Sequence, residues 1–360
     1  MVSRARADLP DSLKGIRGWS CARSVGGMEL KEQVLDEAAA KASFSGIVTV
    51  DVGDRREVER CYGFAHRALR VPNTAGTRFA IASGSKVFTA LAVLRLVEQG
   101  VLGLGDRVRP LLGDDLPLID DDVTVEQLLT HTSGIGDYLD EEAEWDAADY
   151  VLPVPVHTLA ETEAFVPVLD GYPQAFPPGE RFAYNNGGYV VLALLAERAS
   201  GRGFHELVEQ DVCDRARLAA TRFLRSDELP GDAALGYLHA TGYRTNVLHL
   251  PVRGNGDGGI YTTANDLHTF WQALTAGRIV SPGTVAEMSR PRHDVPAENL
   301  RYGLGLWLHH SGPALVIEGY DAGVSFRSTH DPRTRTTATV VGNTSEGAWP
   351  VIGAVAPLFD

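Results

Sequence analysis

The sequence predicts an α+β fold: one antiparallel sheet built from both ends of the chain, with a mainly helical region inserted between its halves. Three observations predict it. Strand-like segments lie near the start and at the end of the chain, at 45–62 and 302–342. Long apolar helical runs occupy the middle. The chain has 360 residues, 44% of them hydrophobic, enough to bury one large core or two cooperating ones.

The elements follow in order. Residues 1–27 lack periodicity and read as a poorly ordered arm. A helix is expected from Glu29 to Lys41. Ser45 to Val52 reads as a strand, Gly53-Asp54 as a turn, and Glu57 to Tyr62 as its hairpin partner. An apolar helix runs from Ser83 to Glu98, with Gly100 past its end. Thr124-Val125-Glu126-Gln127 is a capping-box pattern before Leu128-Leu129. Asp137 to Arg181 is rich in Pro and acidic residues and weakly periodic, as a lid over a site would be. Tyr189 to Ser200 is an apolar helix stopped by Gly201, and Thr263-Ala264-Asn265-Asp266 opens another, stopped by Gly277. Strands are expected at Tyr302–His309, Leu315–Glu318, Val324–Thr329 and Thr336–Gly342. The expected division is a sheet domain of 28–80 plus 256–360 and a helical domain of 81–255 carrying the lid, with a site between them.

The net charge of −14 argues against nucleic acid or an anionic membrane surface as partner. Cys21, Cys61 and Cys213 form no CxxC pattern, so a disulfide framework or zinc site is not expected, and buried free thiols are. The first 30 residues contain no apolar run long enough for a signal-peptide core and nothing elsewhere is long enough to span a membrane, so the chain reads as cytoplasmic. No motif calls for a metal or cofactor. H-E-x-x-H, the P-loop and the G-x-S-x-G elbow are all missing. Gly254-Asn255-Gly256-Asp257-Gly258-Gly259 is glycine-rich but precedes Tyr261-Thr262-Thr263, not the helix of a phosphate cradle.

Two constellations carry chemistry. Ser83-Gly84-Ser85-Lys86 opens the apolar helix, and the three-residue spacing puts Ser83 and Lys86 on one face, about 5–6 Å apart at Cβ. The helix N-terminus favours an oxyanion. A lysine flanked by Phe79, Ile81 and Val87 loses solvation, so its neutral amine becomes accessible and can take the serine proton. S-x-x-K is a cheap pattern, but the chain has four lysines and only Lys86 has serine three residues before it. The second constellation is Tyr184-x-Asn186, the only Tyr-x-Asn in the chain. A phenol near a lysine can pass protons, and an amide can orient the lysine or bind substrate. The plainer reading is a helix-capping Asn beside a packed Tyr.

With both motifs in order, the chain resembles the serine β-lactamase and penicillin-binding protein superfamily, in the branch with class C β-lactamases, D-aminopeptidases and related esterases. The resemblance runs from Phe44 to Gly342. It includes Cys61-Tyr62-Gly63-Phe64-Ala65, Phe79–Ala90, Leu128-Leu129-Thr130-His131-Thr132-Ser133-Gly134-Ile135, Gly258–Thr263 and Tyr302–Trp307. It implies a β-lactamase-like fold and a serine hydrolase working through an acyl-enzyme. Ser83 would be the nucleophile, Lys86 and Tyr184 would share acid and base work, and Asn186 would bind substrate. The backbone N–H groups of Ser83 and Tyr320 would form the oxyanion hole.

The third family motif is a cation followed by x-Gly on a late strand. His310-Ser311-Gly312 matches its letters but runs into Pro313 as a turn would. Ile317-Glu318-Gly319, before Tyr320, sits where the strand should end, and is preferred. Ile317 then replaces the cation, which weakens the β-lactamase and D-Ala-D-Ala carboxypeptidase readings. Glu318, with the acidic residues Asp140, Glu141, Glu142, Glu144, Asp146 and Asp149, would favour neutral or amine-bearing substrates, although the plainer reading of the lid charges is a solvated acidic helix face. The expected function is cleavage of small esters or amides. Acyl transfer from the same acyl-enzyme, or an inactive binding relative, are the alternatives.

Overall fold

The structure is a computed structural model that describes residues 23–25, 28–30, 32–139 and 149–360. Its centre is an eight-stranded antiparallel sheet. The strands are β1 (Gly46–Val52), β2 (Arg55–Tyr62), β3 (His293–Val295), β4 (Leu300–Tyr302), β5 (Trp307–His309), β6 (Leu315–Asp321), β7 (Val324–Asp331) and β8 (Thr336–Gly342). Their order across the sheet is β2-β1-β8-β7-β6-β5-β4-β3. β1 and β8 join the two ends of the chain, with Val48 opposite Val340 and Gly46 opposite Gly342. Both strands are rich in β-branched residues, which pack well on a pleated surface buried on both sides.

Helices cover both faces. On the outer face lie α1 (Glu32–Ala42) and α6 (Trp349–Val355), where Leu35, Ala39 and Val351 pack on Val48, Val50 and Val340. On the inner face lie α2 (Lys86–Glu98), α3 (Val125–Leu129), α4 (Gly187–Ser200) and α5 (Ala264–Thr275). One apolar cluster joins Phe88 of α2, Leu192 of α4 and Leu267 of α5 to Ile317 and Phe326 of the sheet. α2 is apolar nearly all round and is buried accordingly. Each fully buried Leu or Phe in it contributes about 1.5–3 kcal/mol. α3 carries the capping box, with Thr124 and Gln127 exchanging side-chain and backbone bonds. Gly201 ends α4 at φ +70, a conformation that favours glycine.

The structure departs from the sequence reading in three places. Glu29 lies in a strand, Met28–Leu30, that pairs with Arg23–Val25, and α1 starts only at Glu32. The rest of the expected arm lies outside the described residues, as do Cys21 and the lid acids Asp140, Glu141, Glu142, Glu144 and Asp146. Tyr302–His309 is not one strand but the hairpin of β4 and β5. Its turn includes Gly305 at φ +73, where a β-carbon would lie 2.3 Å from that of Ala90 in α2. Cys213 is buried but Cys61, on the edge strand β2, is exposed. Within 149–181 the chain forms short turns and one short helix, Val166–Leu169, with Leu159, Phe165 and Val168 packed on Val190 of α4. Among the described residues no helix is long and apolar enough to cross a membrane.

Candidate active site

Ser83 lies in a 3₁₀ turn, Ala82–Ser85, that leads directly into α2. Ala82 enters it at φ +45. Gly84 is required by space, since a β-carbon there would come within 2.7 Å of the Phe326 ring. Ser85 is structural: its hydroxyl donates to the Ala82 carbonyl at 2.8 Å and accepts from the Ile260 N–H at 2.9 Å. Ser83 is thus left facing the cleft, with Lys86 one turn on.

Lys86 is 4% exposed, and the contacts of its Nζ include Ser83 Oγ at 2.8 Å, Asn186 Oδ1 at 2.7 Å and the Asp257 carbonyl at 2.8 Å. The Asp257 carbonyl comes from the glycine-rich segment. Thr89 of α2 holds that segment by donating to the Gly256 carbonyl at 2.6 Å. A β-carbon at Gly256 would lie 2.0 Å from the Tyr189 carbonyl oxygen, so only glycine lets the loop pass between α2 and α4. The Asp257 carboxylate accepts a short bond from the Tyr138 hydroxyl, and burial pushes its pKa up against the pull of Lys86.

The Tyr184–Asn186 segment is moulded against residues 131–139. Ala183 N–H donates to the His131 carbonyl at 2.9 Å and Asn185 N–H to His131 Nδ1 at 3.1 Å. Asn185 Nδ2 donates to the Ile135 carbonyl at 2.9 Å. Asn186 and Gly187 N–H donate to the two carboxylate oxygens of Asp137 at 2.6 and 2.9 Å. Tyr184 stacks on His131, with ring centroids 4.4 Å apart, and on Trp307 at 6.0 Å. Lys86 Nζ lies 4.9 Å from the Tyr184 ring centroid. Burial and the Lys86 charge hold the His131 pKa well below the usual histidine range, so this imidazole is neutral.

The third wall is β6. It pairs with β5 only through Leu315 and Val316, so from Ile317 onward that edge has no strand partner among the described residues. It runs past Ser83, and a β-carbon at Gly319 would lie 3.0 Å from the Ser83 nitrogen. Tyr320 lines the cleft beside it. Ile317 is 3% exposed and packs with the inner core, while Glu318 points to the opposite face. Arg327, directly opposite on β7, holds Glu318 in an ion pair, so its charge is not left wholly to a substrate as the sequence reading supposed. His310-Ser311-Gly312 lies in the turn between β5 and β6.

Ser83 borders two larger spaces. One is a cleft with apolar walls that include Leu139, Leu152, Leu224, Leu250 and Val252. The other is a more open groove bordered by Tyr184, Trp307, Asp294, Glu298 and Glu318. The Lys86 geometry suits proton exchange with Ser83. Asn186 Oδ1 and the Asp257 carbonyl can only accept hydrogen bonds, so a neutral amine that donates to both can turn its lone pair to the Ser83 hydroxyl, and a protonated amine can donate to the same oxygen. The proton can cross a 2.8 Å contact with no side chain moving. Sequence reasoning missed His131, Asp137 and Asp257. The Leu128–Ile135 motif and the glycine-rich segment were the available signals.

A family model described as Beta-lactamase matches residues 32–354. A solved penicillin-binding protein from Bacillus halodurans is 37% identical, superposes with a TM-score of 0.83, and the match covers 90% of this chain and 100% of that one. Penicillin-binding protein 4* of Bacillus subtilis is 29% identical over 78% of this chain and 63% of its own length. The D-aminopeptidase of Brucella anthropi is 28% identical over 74% of this chain and 49% of its own. The chain therefore spans about half to two thirds of these two curated relatives. With the match running from α1 to α6, the chain belongs to the beta-lactamase family of serine hydrolases.

Proposed function

We propose that the protein is a serine hydrolase that forms an acyl-enzyme on Ser83 and cleaves small esters or amides. The observation that carries this reading is the 2.8 Å contact between Lys86 Nζ and Ser83 Oγ, held by two acceptors on the far side of the amine. Lys86 takes the Ser83 proton as Oγ bonds to the substrate carbonyl carbon. The negative oxygen that forms is stabilised by the Ser83 N–H and by the Tyr320 N–H on β6. When the carbonyl re-forms, the bond to the alcohol or amine breaks, and the proton held by Lys86 passes to that group, with Tyr184 beside the path. Water then attacks the ester on Ser83, yielding the acid and restoring the serine.

The walls support a substrate class. Ile317 puts an apolar group where the family motif has a cation, and Arg327 is committed to Glu318. Neither offers a free positive charge to a substrate carboxylate. The groove also carries Asp294 and Glu298. Uncharged or amine-bearing substrates fit it better than carboxylates, with an apolar acyl group in the cleft lined by Leu139, Leu152, Leu224 and Leu250. The D-aminopeptidase of Brucella anthropi and the esterase EstB of Burkholderia gladioli, 27% identical over 72% of this chain, are compatible relatives.

The test is a panel of p-nitrophenyl acetate and butyrate, D-amino acid amides and benzylpenicillin, run on wild type and Ser83→Ala. Turnover of the esters or amides by wild type alone, with penicillin slower, agrees with the reading. Penicillin as the best substrate contradicts the assigned class.

A further inference from the structure

We propose that Asp137 is a positioning residue of the active site that acts on Lys86 through Asn186. The inference rests on the Ser83 acyl-enzyme reading. It starts from the opening of α4, Asn185-Asn186-Gly187-Gly188, a weak helix start. The first turn of a helix leaves N–H groups without partners, and the N-cap side chain ordinarily accepts one. Asn186 occupies the N-cap position but makes no capping bond with its side chain. That amide is turned to Lys86 instead, at 2.7 Å.

Asp137 supplies the missing cap from another segment. Its Oδ2 accepts from the Asn186 N–H at 2.6 Å and its Oδ1 from the Gly187 N–H at 2.9 Å. A β-carbon at residue 187 would lie 3.3 Å from Asp137 Oδ1, so glycine there admits the carboxylate. Oδ1 also accepts from the Leu139 N–H at 3.2 Å, fixing the turn that presents the Leu139 carbonyl. Asn186 Nδ2 donates to that carbonyl at 3.0 Å. The amide therefore has one orientation, with nitrogen on Leu139 and oxygen on Lys86. One carboxylate caps the helix, frees the Asn186 side chain and sets which way it faces.

Charge supports the same role. Lys86 of α2 and the phenols of Tyr138 and Tyr150 face Asp137, and Asp257 lies beyond Tyr138. Burial pushes the Asp137 pKa up to about 7, against three backbone N–H bonds and Lys86. The ionised form is the one that accepts from both residues 186 and 187, so acylation weakens as pH falls below about 7.

The experiment measures single-turnover acylation by p-nitrophenyl acetate against pH. It compares wild type with Asp137→Asn, Asp137→Ser, Asn186→Ala and the double variant Asp137→Asn/Asn186→Ala, each normalised to its titratable serine. Serine at 137 keeps a capping oxygen, which guards against a variant that fails to fold. The expected result is an acylation rate about 10- to 100-fold lower in the Asp137 variants, with KM little changed and the acid limb near pH 7 lost. In the Asn186→Ala background, Asp137→Asn should cost less than about twofold more. Multiplying effects in the two backgrounds, or unchanged acylation, overturn the proposal while wild type still forms the adduct. No adduct on wild type overturns the acyl-enzyme reading itself.

Discussion

Gly319 passes so close to Ser83 that a β-carbon on it would lie 3.0 Å from the Ser83 nitrogen and 2.1 Å from the Ile81 carbonyl oxygen. The edge of β6 and the serine turn therefore fix each other's position. Gly319→Ala must push the strand away and widen the space between the two proposed oxyanion donors. We expect a loss of about 1–3 kcal/mol in stability and of about 100-fold or more in kcat. Thermal melts and ester kinetics on the purified variant check both, and a fully active alanine variant would contradict the close approach.

Lys86 is buried among groups that suit either of its protonation states. Lys86→Met removes the amine while keeping a flexible side chain of similar length. Acylation should fall by about 10²–10⁴-fold. The melting temperature should hold or rise, because a costly buried amine is gone. Loss of fold together with activity would mean that the lysine is structural.

His131 supports Tyr184 by stacking and holds Asn185 N–H through Nδ1. His131→Phe keeps a ring but leaves that N–H without a partner, at a cost of about 1–3 kcal/mol. His131→Asn can supply an oxygen near the Nδ1 position and tolerates φ +55 better than most residues. It should recover stability over the Phe variant and still lose kcat, because the ring under Tyr184 is gone. Denaturant melts beside ester kinetics separate the two effects.

Buried neutral histidines set an acid limit. Burial lowers the pKa of His205 and of His330 to about 4. The unfolded chain binds protons at these sites from pH 6.5 downward while the folded chain does not. Their contribution is complete above 6.5 and is lost as pH falls toward 4. His330→Asn should flatten the loss of stability across that window in urea melts run at several pH values.

How much was legible in the sequence follows from the kind of interaction involved. Ser83, Lys86, Tyr184 and Asn186 stood out because the proposed chemistry uses their side chains at set spacings. Asp257 did not, because it holds Lys86 with a backbone carbonyl that any residue possesses. Asp137 did not, because the helix it caps begins fifty residues later in the chain. The Arg327 partner of Glu318 was not legible because it is set by strand register, Glu318 opposite Arg327, which periodicity alone does not give. The strands at both ends gave the sheet, whereas the β4–β5 hairpin was hidden in one apolar run whose signal was Gly303 and Gly305.

The central claim is that Ser83 is acylated. Intact mass spectrometry of wild type and Ser83→Ala, quenched during turnover of p-nitrophenyl butyrate, tests it most directly. The account predicts a butyryl adduct on wild type, mapped to Ser83, and neither adduct nor ester turnover in Ser83→Ala. Equal turnover by both proteins with no adduct on either would contradict it.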